Sequence, residues 1–433
     1  LLPSGGYYLP SVDDQGPGRG KSLNLVCLSK NGYHMPARLL YLLLFLGLNW
    51  PCSPVAAQEE FVEPPARFLS RTPIGLFTGG VVVLRARLEP FTDTLSFIFD
   101  TGSSGISLDS STAVYLGLQP GPPEKTIRGI AGMRRVGFLH NRSLTIDDLT
   151  IDSLNFHVND YNILTEVYGE KIDGIIGYAI LSRYILQINY DSLFIDFYTP
   201  GMIRYPKGGT LFKPQISNLP LVTARVRDER TINSRFLYDV GAGLCVLFSS
   251  DFIKDSTLLG RKRKFYPKQG EGVGGKIEMK MTLLKEFRLG PYRFRRVPVY
   301  IFDDENNVTS YPQLGGLIGN DLLRRFNCIL NYPKREFYLT PNTHFKEPFD
   351  YAYSGLELYL INGVITVGDV APGSPADKAK IKEGDHVLAV NNNFSQNLNQ
   401  YKVALQATGQ HIKLLLRRAG QLVTVEFTIK RIR

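Results

Sequence analysis

Bulky apolar residues arrive in short runs that end in polar turns. Phe97-Ile98-Phe99 runs into Asp100-Thr101-Gly102-Ser103-Ser104-Gly105, and Phe236-Leu237-Tyr238 runs into Asp239-Val240-Gly241-Ala242-Gly243. Short apolar runs bounded by glycine favour buried strands over helices, so each predicts a strand that stops at an aspartate in a tight turn. Further runs at Gly80–Leu84, with Ala86 and Leu88, and at Leu221–Val226 predict a strand leading into each turn. The segments Asp173-Gly174-Ile175-Ile176-Gly177 and Gly315-Gly316-Leu317-Ile318-Gly319 predict buried strands that give way to short helices, with glycine permitting close backbone approach.

These landmarks recur in one order. The two aspartates lie 139 residues apart, Gly177 and Gly319 are 142 apart, Tyr190 and Tyr332 are 142 apart, and Tyr198 and Tyr338 are 140 apart. Matches in series at nearly one spacing indicate an internal duplication. Each copy also holds a glycine-rich hairpin, with Gly129 and Gly132 in the first and Gly272 and Gly274 in the second. These four are candidates for mobile flaps over a cleft, and a plain hairpin turn is the alternative.

Glycine lets the backbone fold tightly behind an aspartate and leaves room for a ligand. Two carboxylates within about 3 Å cannot both ionise, so they share a proton and become a coupled acid and base. Such a pair can activate water against a peptide carbonyl with no metal, cofactor or nucleophilic side chain. None of the six histidines stands at metal-ligand spacing from another His or from Cys, and no Ser or Cys lies in a nucleophile-elbow pattern.

Composition adds a compartment. The 433 residues include 41 Gly and 26 Pro, which suit a strand-rich chain of several domains. From Met35, Arg38 precedes an apolar run at Leu39–Leu48, and Val55-Ala56-Ala57 supplies small residues before Gln58. That order is a secretory signal peptide, too short in its apolar part to span a bilayer, so export is expected after cleavage near Ala57 with no transmembrane segment in the mature chain. Residues 1–34 read as a non-native or disordered extension, 35–57 as the signal and 58–72 as a linker. Of the four cysteines, Cys245 and Cys328 sit in apolar runs, where buried thiols are favoured over one disulfide. The net charge is +10, and its one basic run, Arg261-Lys262-Arg263-Lys264, adjoins Gly260 and reads as a solvated loop rather than a nucleic-acid patch.

The turns Asp100-Thr101-Gly102-Ser103 and Asp239-Val240-Gly241-Ala242, each followed about 80 residues later by an apolar pair and Gly before a short helix, resemble aspartic proteases of the pepsin and retropepsin type. The resemblance covers roughly residues 73–341 and looks like two retropepsin-like units, 73–202 and 203–345, fused in one secreted bacterial chain. It implies a mainly β fold of two lobes around a cleft, with Asp100 and Asp239 as the catalytic dyad at its floor, supported by Thr101, Gly102, Ser103, Val240, Gly241 and Ala242. Its expected substrate is a peptide or unfolded protein. In that family Thr or Ser follows each aspartate and its hydroxyl clamps the turns together; Thr101 fits and Val240 does not. One buried hydrogen-bond partnership is therefore missing, worth roughly 0.5–1.5 kcal/mol. Ser103 can donate to the first carboxylate whereas Ala242 cannot, which makes Asp100 the expected more acidic member.

Beyond Pro341 the pattern changes. The turn Pro372-Gly373-Ser374-Pro375-Ala376 and the run Ile381-Lys382-Glu383-Gly384-Asp385 resemble a PDZ domain, expected over 346–433. The resemblance implies capture of a peptide C-terminus at Gly355, Leu356, Glu357 and Leu358, with a helix near 399–406 as the other wall. Two competing functions remain at this point: a catalytically weak or inactive peptide-binding scaffold, with Val240 marking decay, and an actin-like ATPase with two aspartate turns. The export signal and the short strand-rich halves count against the ATPase.

Overall fold

The duplicated apolar runs fold into a duplicated strand arrangement. The computed structural model describes residues 63–130, 132–272, 274–307 and 309–433. The extension 1–34, the signal-like segment 35–57, Cys27 and Cys52 lie outside the described residues.

In the first copy, strand Leu95–Phe99 carries the chain to Asp100 and lies parallel to Gly174–Ile176, with Phe97 opposite Gly174 and Phe99 opposite Ile176. Ile106–Asp109 runs antiparallel on the other side of Gly174–Ile176. The second copy repeats this: Phe236 faces Gly316 and Tyr238 faces Ile318, while Val246–Ser249 flanks the same short strand. Glycine is required at the crossings, because a Cβ on Gly174 would stand 2.2 Å from Ser107 O and one on Gly316, at φ +142, would stand 1.9 Å from Leu247 O.

Each copy closes on itself. Val82–Leu88 pairs with both Leu95–Phe99 and Phe138–Ile146, and Pro220–Arg227 pairs with both Thr231–Tyr238 and Gly275–Leu289. The result is mainly β, with two barrel-like lobes and a C-terminal PDZ domain. Phe97, Phe99 and Phe156 are wholly buried in one lobe and Phe236 and Phe248 in the other. The lobes join through a shared sheet, in which Ile185 faces Asn331 and Ile188 faces Cys328. Strand Phe68–Leu76 adds to this sheet beside Phe194–Tyr198 and then turns to pair with Val82–Leu88. Residues 68–72, read from sequence as linker, are therefore strand; their pairing partners lie more than 120 positions away, beyond any local signal.

The PDZ sheet has the order 356–361, 364–370, 386–390, 411–418, 421–428, which leaves Leu356–Ile361 at one edge. Its helix Leu398–Ala404 overlaps the expected 399–406. Cys245 and Cys328 are buried free thiols. Among the described residues no helix is long and apolar enough to cross a membrane.

Candidate active site between two aspartate turns

Each aspartate is fixed by the short strand beside it: Asp100 N donates to Ile176 O at 2.9 Å and Asp239 N donates to Ile318 O at 3.0 Å. The turns then fold back on their own carboxylates. Gly102 N donates to Asp100 Oδ1 at 2.6 Å and Gly241 N donates to Asp239 Oδ1 at 2.9 Å. They also cross: a Cβ on Gly102 would lie 2.5 Å from Asp239 Oδ2, and one on Gly241 would lie 2.4 Å from Asp100 Cγ. Each glycine thus makes room for the opposite carboxyl group, which brings the two carboxyls together.

Only one hydroxyl clamps the turns. Thr101 Oγ1 donates to Tyr238 O at 2.6 Å and accepts from Val240 N at 3.0 Å. Val240 is wholly buried in the hydrophobic core and its side chain has no hydrogen-bonding group to return. The clamp is half of a symmetric one.

Burial raises the pKa of Asp100, and the hydrogen bond with Asp239 and the amides of Gly102 and Ser103 restrain the rise. Burial together with the charge of Asp100 holds Asp239 well above the ordinary carboxylate range. The sequence expectation makes Asp100 the more acidic member through the side chain of Ser103. The cause differs. The Ser103 contact is through its backbone N–H, and the Ala242 N–H does the same for Asp239, so the side-chain difference between Ser103 and Ala242 does not set the asymmetry.

The four flap-candidate glycines lie at the hairpin tips. Gly129 pairs with Gly132 and Gly272 with Gly275, while Gly274 sits between the second pair at φ +114. The tips meet, since a Cβ on Gly272 would be 2.3 Å from Ile130 Cγ2, and Arg134 Nη2 reaches Gly274 O at 3.5 Å. Ile130 of the first hairpin also packs on Leu247, Met279 and Phe302 of the second lobe.

The four residues expected to capture a peptide terminus line one cavity together with Lys268, Lys402 and Leu405, and each is engaged differently. Gly355 adopts φ +69 in a turn where a Cβ would strike Ser374, and Leu356 N already donates to Ser354 Oγ at 3.2 Å. Leu356 and Leu358 are buried in the PDZ core, and Glu357 forms an ion pair with Lys268 of the second hairpin. Sequence reasoning gave no role to Lys268, nor to Tyr168, whose hydroxyl is pushed up by burial with further contributions from Glu271, Asp100 and Asp239. Both sit on ordinary-looking segments, and only the tertiary fold brings them to the site.

Residues 91–180 and 222–322 match the aspartyl protease family, and residues 366–418 match the PDZ domain. No protein of curated function matches the chain. Each protease segment contains one of the two turn aspartates, Asp100 or Asp239, and the short strand that fixes it, which is the division seen in the lobes. The chain carries an aspartyl-protease region in two segments, followed by a C-terminal PDZ domain.

Proposed function

We propose that the chain is an exported aspartic endopeptidase that hydrolyses peptide bonds with water activated by Asp100 and Asp239. The observation that carries this reading is the interlocking of the two turns, in which Gly102 makes room for the Asp239 carboxyl and Gly241 for that of Asp100. Sharing one proton, the pair divides the work. Asp100 as carboxylate takes a proton from the water as its oxygen attacks the peptide carbonyl carbon, and protonated Asp239 donates to the carbonyl oxygen. Asp100 then holds the proton that the departing amine nitrogen needs when the C–N bond breaks. The hairpins act as flaps over the substrate, and the PDZ domain delivers substrates or reads peptide C-termini.

The test is cleavage of a denatured protein by the full chain between pH 3 and 8, with and without pepstatin, beside Asp100→Asn and Asp239→Asn. Loss of a proton-transferring group removes roughly 10²–10⁴-fold of rate. Either variant is expected to lose at least the lower part of that range; cleavage retained in both would end the mechanism. A folded chain with no activity at any pH would favour the peptide-binding scaffold, for which the fully buried Val240 is the supporting observation.

A further inference from the structure

A PDZ sheet adds an extended peptide along its edge strand, between that strand and the neighbouring helix. Here the edge strand Leu356–Ile361 and the helix Leu398–Ala404 face two segments of the protease region. Helix Asn162–Tyr168 of the first lobe packs on the edge strand. Lys402 Nζ donates to Val167 O at 2.5 Å, and Leu398 is so close that a Cβ on Gly169 would lie 3.2 Å from Leu398 Cβ. The second hairpin approaches the same strand: Lys268 pairs with Glu357, Tyr359 is hydrogen-bonded to Gln269 and Glu271, and Lys276 Nζ donates to Gly368 O at 3.1 Å.

We propose that the PDZ edge is a receptor for this chain's own protease segments, which hold the place of an incoming peptide, and that a peptide adding to the edge releases the second hairpin. The regulatory part of this rests on the protease reading above. Two features support the exchange. Among the described residues no strand pairs with the outer side of Leu356–Ile361, and a helix, whose backbone bonds are internal, cannot supply the ladder that an extended peptide would. At its base the hairpin packs through Tyr266 and Met281 in a buried apolar cluster with Tyr353 and Ala371, but along the edge strand it is held by ion pairs and hydrogen bonds that a competitor can replace. An extended peptide therefore has the differential affinity that a shift of state requires.

The displaced helix also leads to the dyad. Tyr168 stacks on Phe77 with ring centroids 4.5 Å apart. Phe77 runs into Thr78–Gly80, and a Cβ on Gly79 would lie 2.1 Å from Gly243 O in the second aspartate turn. Contacts are thus continuous from Lys402 to the turn of Asp239.

Two measurements on the full chain test the proposal. Amide hydrogen exchange is followed in Tyr359→Phe and Lys402→Met. Exchange at 266–272 and 162–168 is expected to quicken at least tenfold, with 411–418 unchanged as a check that the PDZ domain stays folded; unchanged exchange in the hairpin overturns the proposal. Decapeptides with free C-termini are then selected from a library on Lys402→Met and measured against the parent chain. At least tenfold weaker binding to the parent is expected, because its own helix competes; equal binding, or no binder at all, overturns it. Neither readout needs turnover, so a chain that cleaves nothing would refute the protease reading and leave this result standing on its own.

Discussion

The two copies share a backbone plan and differ in what restrains each hairpin. The first, Lys125–Gly129 with Gly132–Val136, forms a two-stranded sheet of its own and leaves Met133 exposed near its tip. The second, Tyr266–Gly272, continues through Gly275–Leu289 into the eight-stranded sheet and is fastened to the PDZ domain by Lys268, Gln269 and Glu271. The aspartate turns repeat the lesson: Thr101 bonds across the axis, whereas Val240 gives its backbone N–H and contributes its side chain only to the core. Duplication supplies geometry twice, and later side-chain choices make one copy the clamp and the other the clamped.

Exchanging those choices gives the largest expected effect. Thr101→Val leaves Tyr238 O and Val240 N without their buried partner and should lower the unfolding free energy by about 2–3 kcal/mol, with a 10–100-fold loss of cleavage. Val240→Thr should change stability by less than about 1.5 kcal/mol, since it adds a hydroxyl where none is now required. Urea unfolding of both variants checks the pair, and equal losses would mean that the clamp is not one-sided.

The carboxyls offer a second contrast, in pH. An acid whose folded pKa is raised binds its proton more tightly when folded, so stability falls as pH rises from the unfolded value, about 3.9, through the folded one. Burial raises both carboxyls, and the charge of Asp100 adds to the rise at Asp239. Asp239→Asn should therefore melt above the parent at pH 7 and lose that advantage toward pH 4, and Asp100→Asn should show a smaller version. Scanning calorimetry across that range decides it, with equal advantages counting against the assigned asymmetry.

The smallest effect is expected at the first hairpin, on the side chain that its tip leaves exposed. Met133→Ala removes an exposed side chain and should alter stability by no more than about 0.5 kcal/mol. If the hairpin acts as a flap, the same variant raises KM for a protein substrate while leaving kcat nearly unchanged.

Much of this arrangement could be read from the chain because it is written in local patterns. The apolar runs ending at Asp100 and Asp239, the paired Ile-Gly segments and the PDZ strand Val364–Val370 carry their own signals. What escaped is what contacts at a distance decide. Phe68–Thr72 becomes strand by meeting Phe194–Tyr198, and Asn162–Tyr168 has no feature announcing that it will lie against Leu356–Ile361. The Ser103 expectation failed in its cause for a different reason. In a turn this tight the backbone N–H groups already point at the carboxylate, so the side chain's ability to donate decides little.

The seam between the lobes has a consequence for the chain in pieces. Ile185–Asn189 and Phe326–Asn331 are each other's neighbours across the shared sheet. Cutting the polypeptide between the copies would leave either fragment with a bare, largely apolar strand edge. Such fragments would seek a mate, either each other, restoring a mixed pair of aspartates, or a second copy of themselves, producing symmetric assemblies with two Thr101 clamps or with none.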